Sequence, residues 1–288
     1  MSITQTSLTT KVRTWLLLAA LTALFLGIGA LIGGVGLYVF AALAVLLNVA
    51  AYWFSDRFAI RASRAKPLDE SQAPELYRMV EDLAQRFQVP MPRVYSIPSE
   101  QPNAFATGRN PKHAVVAVTE GLLHHLPSDQ VRGVLAHEFA HIKNRDILVA
   151  SIAAMIAGAI SMLQYMLFFG AYGDDDDSPL GAIGAIVALI VGPIAATLLQ
   201  LAVSRQREYL ADATAARVLG EGRPLAEALE NLERGREVVP MNVNPATASL
   251  YIVNPLRAHG VAALFSTHPP IVERVRRLRD YDVNRGIV

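Results

Sequence analysis

The sequence predicts a mainly α protein with four transmembrane helices and a soluble α+β part that contains a small β-sheet. Hydrophobic residues make up 52% of the 288 residues and charged residues only 18%, whereas soluble domains carry about 25% charged residues. Three long runs contain no Asp, Glu, Lys or Arg, at 14–55, 147–173 and 178–204. Between these runs, short apolar segments bounded by Pro and Gly predict the sheet.

The first uncharged run is long enough for two membrane helices. A helix needs about 20 residues to cross about 30 Å of hydrocarbon, since it rises about 1.5 Å per residue. A glycine-rich break at 33–36 divides the run, and a cleaved signal peptide is a poor alternative because the apolar stretch continues into a second helix. The four predicted transmembrane helices are Trp15–Ile32, Leu37–Phe54, Ile147–Phe169 and Leu180–Val203.

The basic residues predict the orientation of these helices. All 26 Lys and Arg residues fall on one side of a four-helix arrangement. The two connections on the opposite side contain no Lys or Arg, and the second of them holds the acidic run Asp174–Asp177. Because cytoplasmic loops are enriched in Lys and Arg, we expect a multi-pass protein with both termini in the cytosol. The formal net charge of +1 gives no reason to expect nucleic acid as a partner, and the absence of Cys excludes disulfides and thiolate metal sites.

The predicted helices divide the chain into four segments. Residues 1–55 hold the first membrane pair, and residues 147–203 hold the second pair with a short acidic external loop. Residues 56–146 and 204–288 form the two parts of a cytosolic domain. The elements predicted there are helices at Pro74–Phe87, from Ser128, at Arg207–Leu219, at Pro224–Arg236 and from Pro270, and strands at Arg93–Ile97, Ala104–Thr107 and Ala114–Val118.

The clearest motif is His-Glu-Phe-Ala-His at residues 137–141. Residues four apart share a helical face, so His137 and His141 can bind one Zn²⁺ while Glu138 reaches a metal-bound water. The pKa of such a water falls to about 7, and the carboxylate can take its proton as the water attacks a carbonyl. This is the zincin arrangement. Chance spacing on a half-buried helix is the alternative, which the amphipathic pattern of the flanking residues disfavours.

A catalytic zinc site needs a third protein ligand. A metzincin would place a histidine at position 147, where this chain has Ile147, so that subclass is excluded. Glu208 and Asp212 share one face of a downstream helix. The first is the best candidate ligand, and the second can orient a ligand imidazole, although isolated carboxylate pairs of this kind are usually solvated. The remaining histidines, which lack comparable neighbours, are His113, His124, His125, His259 and His268.

Attack on an amide creates an oxyanion, so a further hydrogen-bond donor is expected. His268 and Arg274 are the candidates in the last part of the chain. The alternatives are a turn residue before proline for His268 and an ordinary surface charge for Arg274.

Over nearly its whole length the chain resembles the HtpX family of bacterial membrane zinc endopeptidases, and more distantly the CAAX prenyl endopeptidases. The resemblance lies in the paired helices, the motif at 137–146, Glu208 to Asp212, and Phe265 to Pro270. It implies a gluzincin-type protease domain with one Zn²⁺ per chain, bound by His137, His141 and Glu208. It also implies Glu138 as the base, Asp212 as a support, and His268 and Arg274 near the oxyanion.

The resemblance extends to the stretch Asn103–Gly108, where a family edge strand is thought to hold extended substrate. It therefore implies that Asn103, Ala104, Phe105 and Ala106 contact substrate. It further implies the bacterial cytoplasmic (inner) membrane and a role in stress response and protein quality control, with damaged membrane proteins or peptides as substrates.

Two other functions compete with a protease. A zinc-stapled membrane scaffold or holdase would need the metal but not Glu138. A transporter is opposed by the lack of ionisable residues in the predicted spans, where Asn48 and two glutamines are better explained as helix-to-helix hydrogen bonds. The sequence predicts no oligomeric state.

Overall fold

The computed structural model describes residues 3–170, 204–256 and 268–285. The predicted fourth transmembrane helix, Leu180–Val203, and the acidic run Asp174–Asp177 lie outside the described residues. Within the described part, the chain is mostly helical with one small sheet, which confirms the coarse fold prediction.

The N-terminal helices are α1 (Ile3–Ile32) and α2 (Val35–Ala62), and both are long and apolar enough to cross a membrane. Gly33 and Gly34 join them with φ values of 75° and 51°, a backbone conformation that glycine adopts readily. The Asn48 side chain of α2 donates a hydrogen bond of 2.7 Å to Thr22 in α1, as the sequence predicts. The helix α2 continues eight residues beyond the predicted span, and this C-terminal end carries the charged residues of the helix.

A third long helix, α6 (Asp146–Gly170), has 25 residues and is therefore about 37 Å long. Its first half packs on α1 and α2 through buried Val149, Ile152 and Ile156. The predicted third span thus corresponds to one continuous helix that begins at the soluble part.

The sheet has four strands in the order β1, β2, β4, β3. β2 and β4 are parallel, whereas β1 pairs with β2, and β3 with β4, in the antiparallel sense. Two predicted strands are confirmed, β4 lies one residue later than predicted, and β1 was not predicted because two residues carry no periodic pattern. The strands are β1 (Lys66–Pro67), β2 (Arg93–Ile97), β3 (Ala104–Thr107) and β4 (Val115–Thr119).

The helices of the soluble part surround one apolar core, in which α5 is central. Helix α5 packs on α3 through Phe139 and Phe87, whose rings lie 5.7 Å apart, and also contacts β3 and the two helices that follow α6. It ends at Asn144, and the C-cap residue Arg145, with a left-handed φ of 62°, separates it from α6. These helices are α3 (Pro74–Phe87), α4 (Glu120–His125), α5 (Ser128–Asn144), α7 (Arg205–Leu219), α8 (Arg223–Val238) and α9 (Ile271–Asn284).

Candidate active site

Three candidate ligands meet where α5 and α7 cross. His137 and His141 occupy one face of α5, and their Nε2 atoms lie 3.1 Å apart. Glu208, in the first turn of α7, places Oε1 3.3 Å from His141 Nε2 and Oε2 3.6 Å from His137 Nε2. One ligand atom from each residue lies within 4.8 Å of the others. The sequence therefore folds so that the predicted third ligand reaches the histidine pair.

The separations of these atoms fit a divalent metal ion. Tetrahedral zinc with bonds of about 2.0–2.1 Å separates its ligand atoms by about 3.4 Å, and the three distances above lie on both sides of that value. Two imidazoles and one carboxylate are ligands that zinc accepts. Beside them, Glu138 is buried and its Oε1 has no hydrogen-bond partner among the described residues. The residues present therefore fit the implied ion.

His137 is held from behind by a buried ion pair. Its Nδ1 lies 2.9 Å from Asp212 Oδ1, and Arg274 donates two hydrogen bonds of 2.8 and 2.7 Å to the same carboxylate. Burial favours the neutral form of Asp212, but the charges and hydrogen bonds of Arg274 and His137 together outweigh it and lower the pKa of this carboxyl to about 2. Asp212 is therefore ionised and can fix the orientation of the His137 ring.

His141 has an equivalent pair that the sequence analysis did not predict. Its Nδ1 lies 3.3 Å from Asp146 Oδ2, and Arg207 donates a hydrogen bond of 3.0 Å to Asp146 Oδ1. Burial lowers the pKa of His141, but the neighbouring carboxylates of Glu208 and Asp146 have the larger combined effect and raise it to about 10. Asp146 follows the break between α5 and α6 at Arg145, whose backbone is left-handed, and no sequence pattern predicts this break.

Glu138 lies beside the three candidate ligands and is 2% exposed. Burial raises the pKa of its carboxyl, while the two neighbouring imidazoles and the backbone N–H of Ala106 act in the opposite direction. A carboxylate with a raised pKa is a suitable acceptor for a proton from water. Glu138 therefore has the properties that the predicted role of a general base requires, and the role itself stays a prediction.

A small cavity of about 40 Å³ opens at these residues. Its wall includes His268, whose Nδ1 lies 3.1 Å from Glu208 Oε2 and whose Nε2 lies 3.3 Å from the carbonyl oxygen of Ser249. Arg274 is fully buried behind His137 and is not part of the wall. One of the two predicted oxyanion donors therefore faces the cavity, and the predicted contact of Arg274 with the oxyanion stays a prediction.

The predicted substrate strand, β3, forms one edge of the sheet next to this cavity. Its residue Ala106 lines the cavity, whereas Phe105 packs with its ring 5.0 Å from that of Tyr251. The outward carbonyl of Ala104 accepts a hydrogen bond of 3.0 Å from Ile252 N–H, and Asn103 Nδ2 donates one of 2.7 Å to Val253 O. The chain itself therefore covers the Asn103 end of this edge and leaves the Ala106 end at the cavity.

Comparisons with known proteins agree with this geometry. The model of "Peptidase family M48" matches residues 70–282. The "Protease HtpX homolog" of Syntrophobacter fumaroxidans is 53% identical over 277 residues, which cover 93% of this chain and 98% of that protein. The protein of the same name from Pyrococcus furiosus is 50% identical over 283 residues, which cover 96% of this chain and 98% of that protein.

A solved structure shares the fold. The crystal structure of S. mikatae Ste24p matches with a TM-score of 0.51 and 21% sequence identity. The match covers 95% of this chain but 66% of that one, so this chain spans about two thirds of its length. Together with the family model and the close relatives, these findings confirm the predicted resemblance: the chain belongs to peptidase family M48, a family of metalloproteases, and within it to the HtpX proteins.

Proposed function

We propose that the protein is a membrane-embedded, zinc-dependent endopeptidase that cleaves cytosolic segments of membrane proteins, including damaged ones. The observation that carries this proposal is the convergence of His137, His141 and Glu208 beside the buried carboxylate of Glu138. A scaffold would need only the first three residues. It would have no use for a buried carboxylate with a free oxygen at the same place.

In this proposal His137, His141 and Glu208 hold Zn²⁺, which supplies the Lewis acidity that polarises the scissile carbonyl and activates water. Glu138 takes the proton from the attacking water and passes it to the leaving amine nitrogen. His268, on the cavity wall, is the proposed donor to the carbonyl oxygen as negative charge develops there, and one of its ring nitrogens would leave its present partner, Glu208 Oε2 or the Ser249 carbonyl oxygen, to do so. Asp212 and Arg274 keep His137 in place, and Arg274 lies 3.9 Å from Glu208 Oε2, close to the reacting groups.

The proposed substrate is an extended polypeptide that lies along the open end of β3. Main-chain hydrogen bonds to an edge strand give affinity with little dependence on sequence. Ala106, whose backbone N–H contacts Glu138, supplies the part of the edge that lies at the cavity, while Asn103, Ala104 and Phe105 shape its continuation. Such a site suits unfolded tails and loops rather than folded domains.

The proposed location is the cytoplasmic (inner) membrane, with the site and both termini in the cytosol. Ile147 and Ala150, in the first turns of α6, line the cavity, so the site adjoins the end of a predicted membrane helix. Below that level, α6 is uncharged, and the sequence predicts that every basic residue lies on the side of the site. Hydrolysis would take place next to the inner leaflet.

The substitution Glu138→Gln tests this function. It removes the proposed proton acceptor but none of the proposed ligands, so cleavage should fall by about 10²- to 10⁴-fold while one zinc per chain is retained. Cleavage is measured on a membrane protein with an unfolded cytosolic tail, reconstituted with the enzyme in liposomes, and bound zinc by elemental analysis. Glu120→Gln, an exposed site on α4, is the matched control and should leave both values unchanged.

Two results would contradict the proposal. Undiminished cleavage by the Glu138→Gln variant would show that another group acts as the base. A wild-type protein that binds zinc and prevents aggregation of the same tail, yet cleaves nothing, would favour the scaffold or holdase instead.

A further inference from the structure

A groove of about 600 Å³ lies at the cytosolic end of α2, against α6 and away from the candidate active site. We refer to it as the α2–α6 groove. Its wall combines aromatic and aliphatic side chains with three polar ones. The residues that define it are Phe54, Phe58 and Met155 on the apolar side and Arg57, Arg61 and Asn244 on the polar side.

The two arginines of the groove have no carboxylate partner among the described residues. Arg57 and Arg61 are exposed and four residues apart, so their guanidinium groups share a helical face and repel each other. The one cation-π contact of Arg57 in the described part is with the Phe54 ring, 5.4 Å away. Asp56, the only acidic residue of α2, is bonded to Arg93 at 3.3 Å. Among the described residues, the groove therefore carries a net positive charge.

The groove also lies at the level expected for lipid headgroups. Tyr52 and Trp53, one turn earlier on α2, are exposed and in edge-to-face contact at 5.5 Å, and aromatic residues of this kind mark the membrane interface. Arg109, from the loop after β3, lies 4.8 Å above the Trp53 ring. Arg57 is about 6 Å further along the helix than Trp53. A phosphate at that depth would belong to a lipid in the cytosolic leaflet.

We propose that the α2–α6 groove binds an anionic phospholipid. Its phosphate lies between Arg57 and Arg61, whose planar guanidinium groups match phosphate oxygens, and its acyl chain follows Phe54, Phe58 and Met155. The Asn244 side chain accepts a hydrogen bond of 3.0 Å from Ala246 N–H through Oδ1, so its NH₂ group can donate a hydrogen bond to the phosphate. Basic pockets between membrane helices are known to bind such headgroups. The inference rests on the proposed membrane placement of α2 and not on proteolysis.

Native mass spectrometry of the full-length protein tests this site. The protein is reconstituted with equal amounts of phosphatidylglycerol and phosphatidylcholine, extracted in mild detergent and examined for retained lipid. We expect preferential retention of phosphatidylglycerol. The double variant Arg57→Gln, Arg61→Gln should weaken this binding by about 30-fold, since each basic residue near the surface contributes about a factor of five. Circular dichroism and gel filtration establish that the variant is folded.

The matched control is Arg64→Gln, Lys66→Gln, which removes the same charge from exposed residues just after α2 and outside the groove. It should retain phosphatidylglycerol as the wild type does. Equal retention by the Arg57, Arg61 variant, or equal loss in the control, would overturn the proposal. Displacement of the lipid by millimolar inorganic phosphate would also overturn it, because free phosphate would then be the ligand. Failure of peptide cleavage would leave these lipid measurements unaffected.

Discussion

At the scale of single residues, the candidate site repeats one arrangement twice. Each histidine contacts a buried carboxylate through Nδ1, and each carboxylate contacts an arginine: Asp212 with Arg274 behind His137, and Asp146 with Arg207 behind His141. In both cases this leaves Nε2 facing Glu208. A carboxylate behind a metal-bound imidazole fixes the ring and increases its basicity. The two carboxylate–arginine pairs therefore orient both histidines so that their Nε2 atoms can bind one ion.

Asp146→Asn should weaken metal binding without removing a ligand. The variant loses the negative charge behind His141, and loss of such a partner typically lowers metal affinity by about 10- to 100-fold. Zinc affinity is measured by competition with a chromophoric chelator. Asp280→Asn, an exposed site on α9 whose side chain is 59% accessible, is the control. An unchanged affinity in the Asp146 variant would show that the negative charge behind His141 does not support metal binding.

The pKa of His141 predicts that zinc displaces a proton. In the metal-free protein this pKa is about 10, above the ordinary value of about 6.5, so at pH 8 the ring is protonated and must lose that proton to bind metal. Zinc affinity should therefore rise with pH up to about 10. Conversely, the stability that the protonated ring gives the metal-free protein is complete below about pH 6.5 and lost as pH rises through about 10.

Calorimetric titration of zinc in buffers of different ionisation enthalpy measures this proton. About one proton per zinc should be released at pH 8. His124→Gln, on the exposed part of α4, should give the same value and serves as the control. Binding without proton release would mean that His141 is neutral before the metal arrives.

At the scale of elements, helix α5 carries both histidines of the candidate site, and it packs closely against α8 at Gly133. A Cβ added at Gly133, one turn before His137, would lie 2.7 Å from the backbone nitrogen of Leu225 and 2.9 Å from its Cα. Both atoms belong to the first turn of α8. The glycine therefore allows α8 to approach the helix that holds the histidines.

Gly133→Ala should destabilise the protein although alanine favours a helix by about 1 kcal/mol over glycine. The backbone of α8 has to move, and overpacking of this kind costs about 1–3 kcal/mol. Thermal unfolding in detergent gives the comparison. Gly27→Ala in α1, where nothing lies within 4 Å of the added Cβ, is the control and should be neutral or slightly stabilising. A rise in melting temperature for Gly133→Ala would contradict this packing.

Local sequence patterns predicted the helices and strands well, but not how they pack against one another. Helical spacing placed His137 and His141 together, and apolar segments bounded by Pro and Gly located β2 and β3 correctly. Glu208 required a choice among several acidic and histidine residues, because its approach depends on how α7 crosses α5. Arg207 and Asp146 are 61 residues apart, and their pairing depends on the left-handed turn at Arg145. Contacts set by such turns have no periodic signature.

At the scale of the whole molecule, the candidate metal ligands come from distant parts of the chain. His141 and Glu208 flank the long segment that begins with α6, and one ion between them would close that segment into a loop. Binding that occurs only in the folded state stabilises it by about 4 kcal/mol when free ligand exceeds Kd by 1,000-fold. The ion is thus expected to contribute to stability as well as to catalysis.

Chelation should therefore lower the melting temperature of the wild-type protein. The measurement is thermal unfolding in detergent with and without a chelator at fixed protein concentration. His141→Ala, which lacks one proposed ligand, should melt at nearly the same temperature in both conditions. An equal decrease in the variant and the wild type would show that the chelator acts elsewhere.

The contact between Ile252 and Ala104 limits how a target polypeptide can be captured. Antiparallel pairing turns the main-chain groups of Ala104 and Ala106 away from β4, and Ile252 already occupies the carbonyl of Ala104. A substrate chain could therefore pair with only a few residues of β3. So short a pairing gives low affinity, and the rate of cleavage would depend on substrates that are already held in the same membrane.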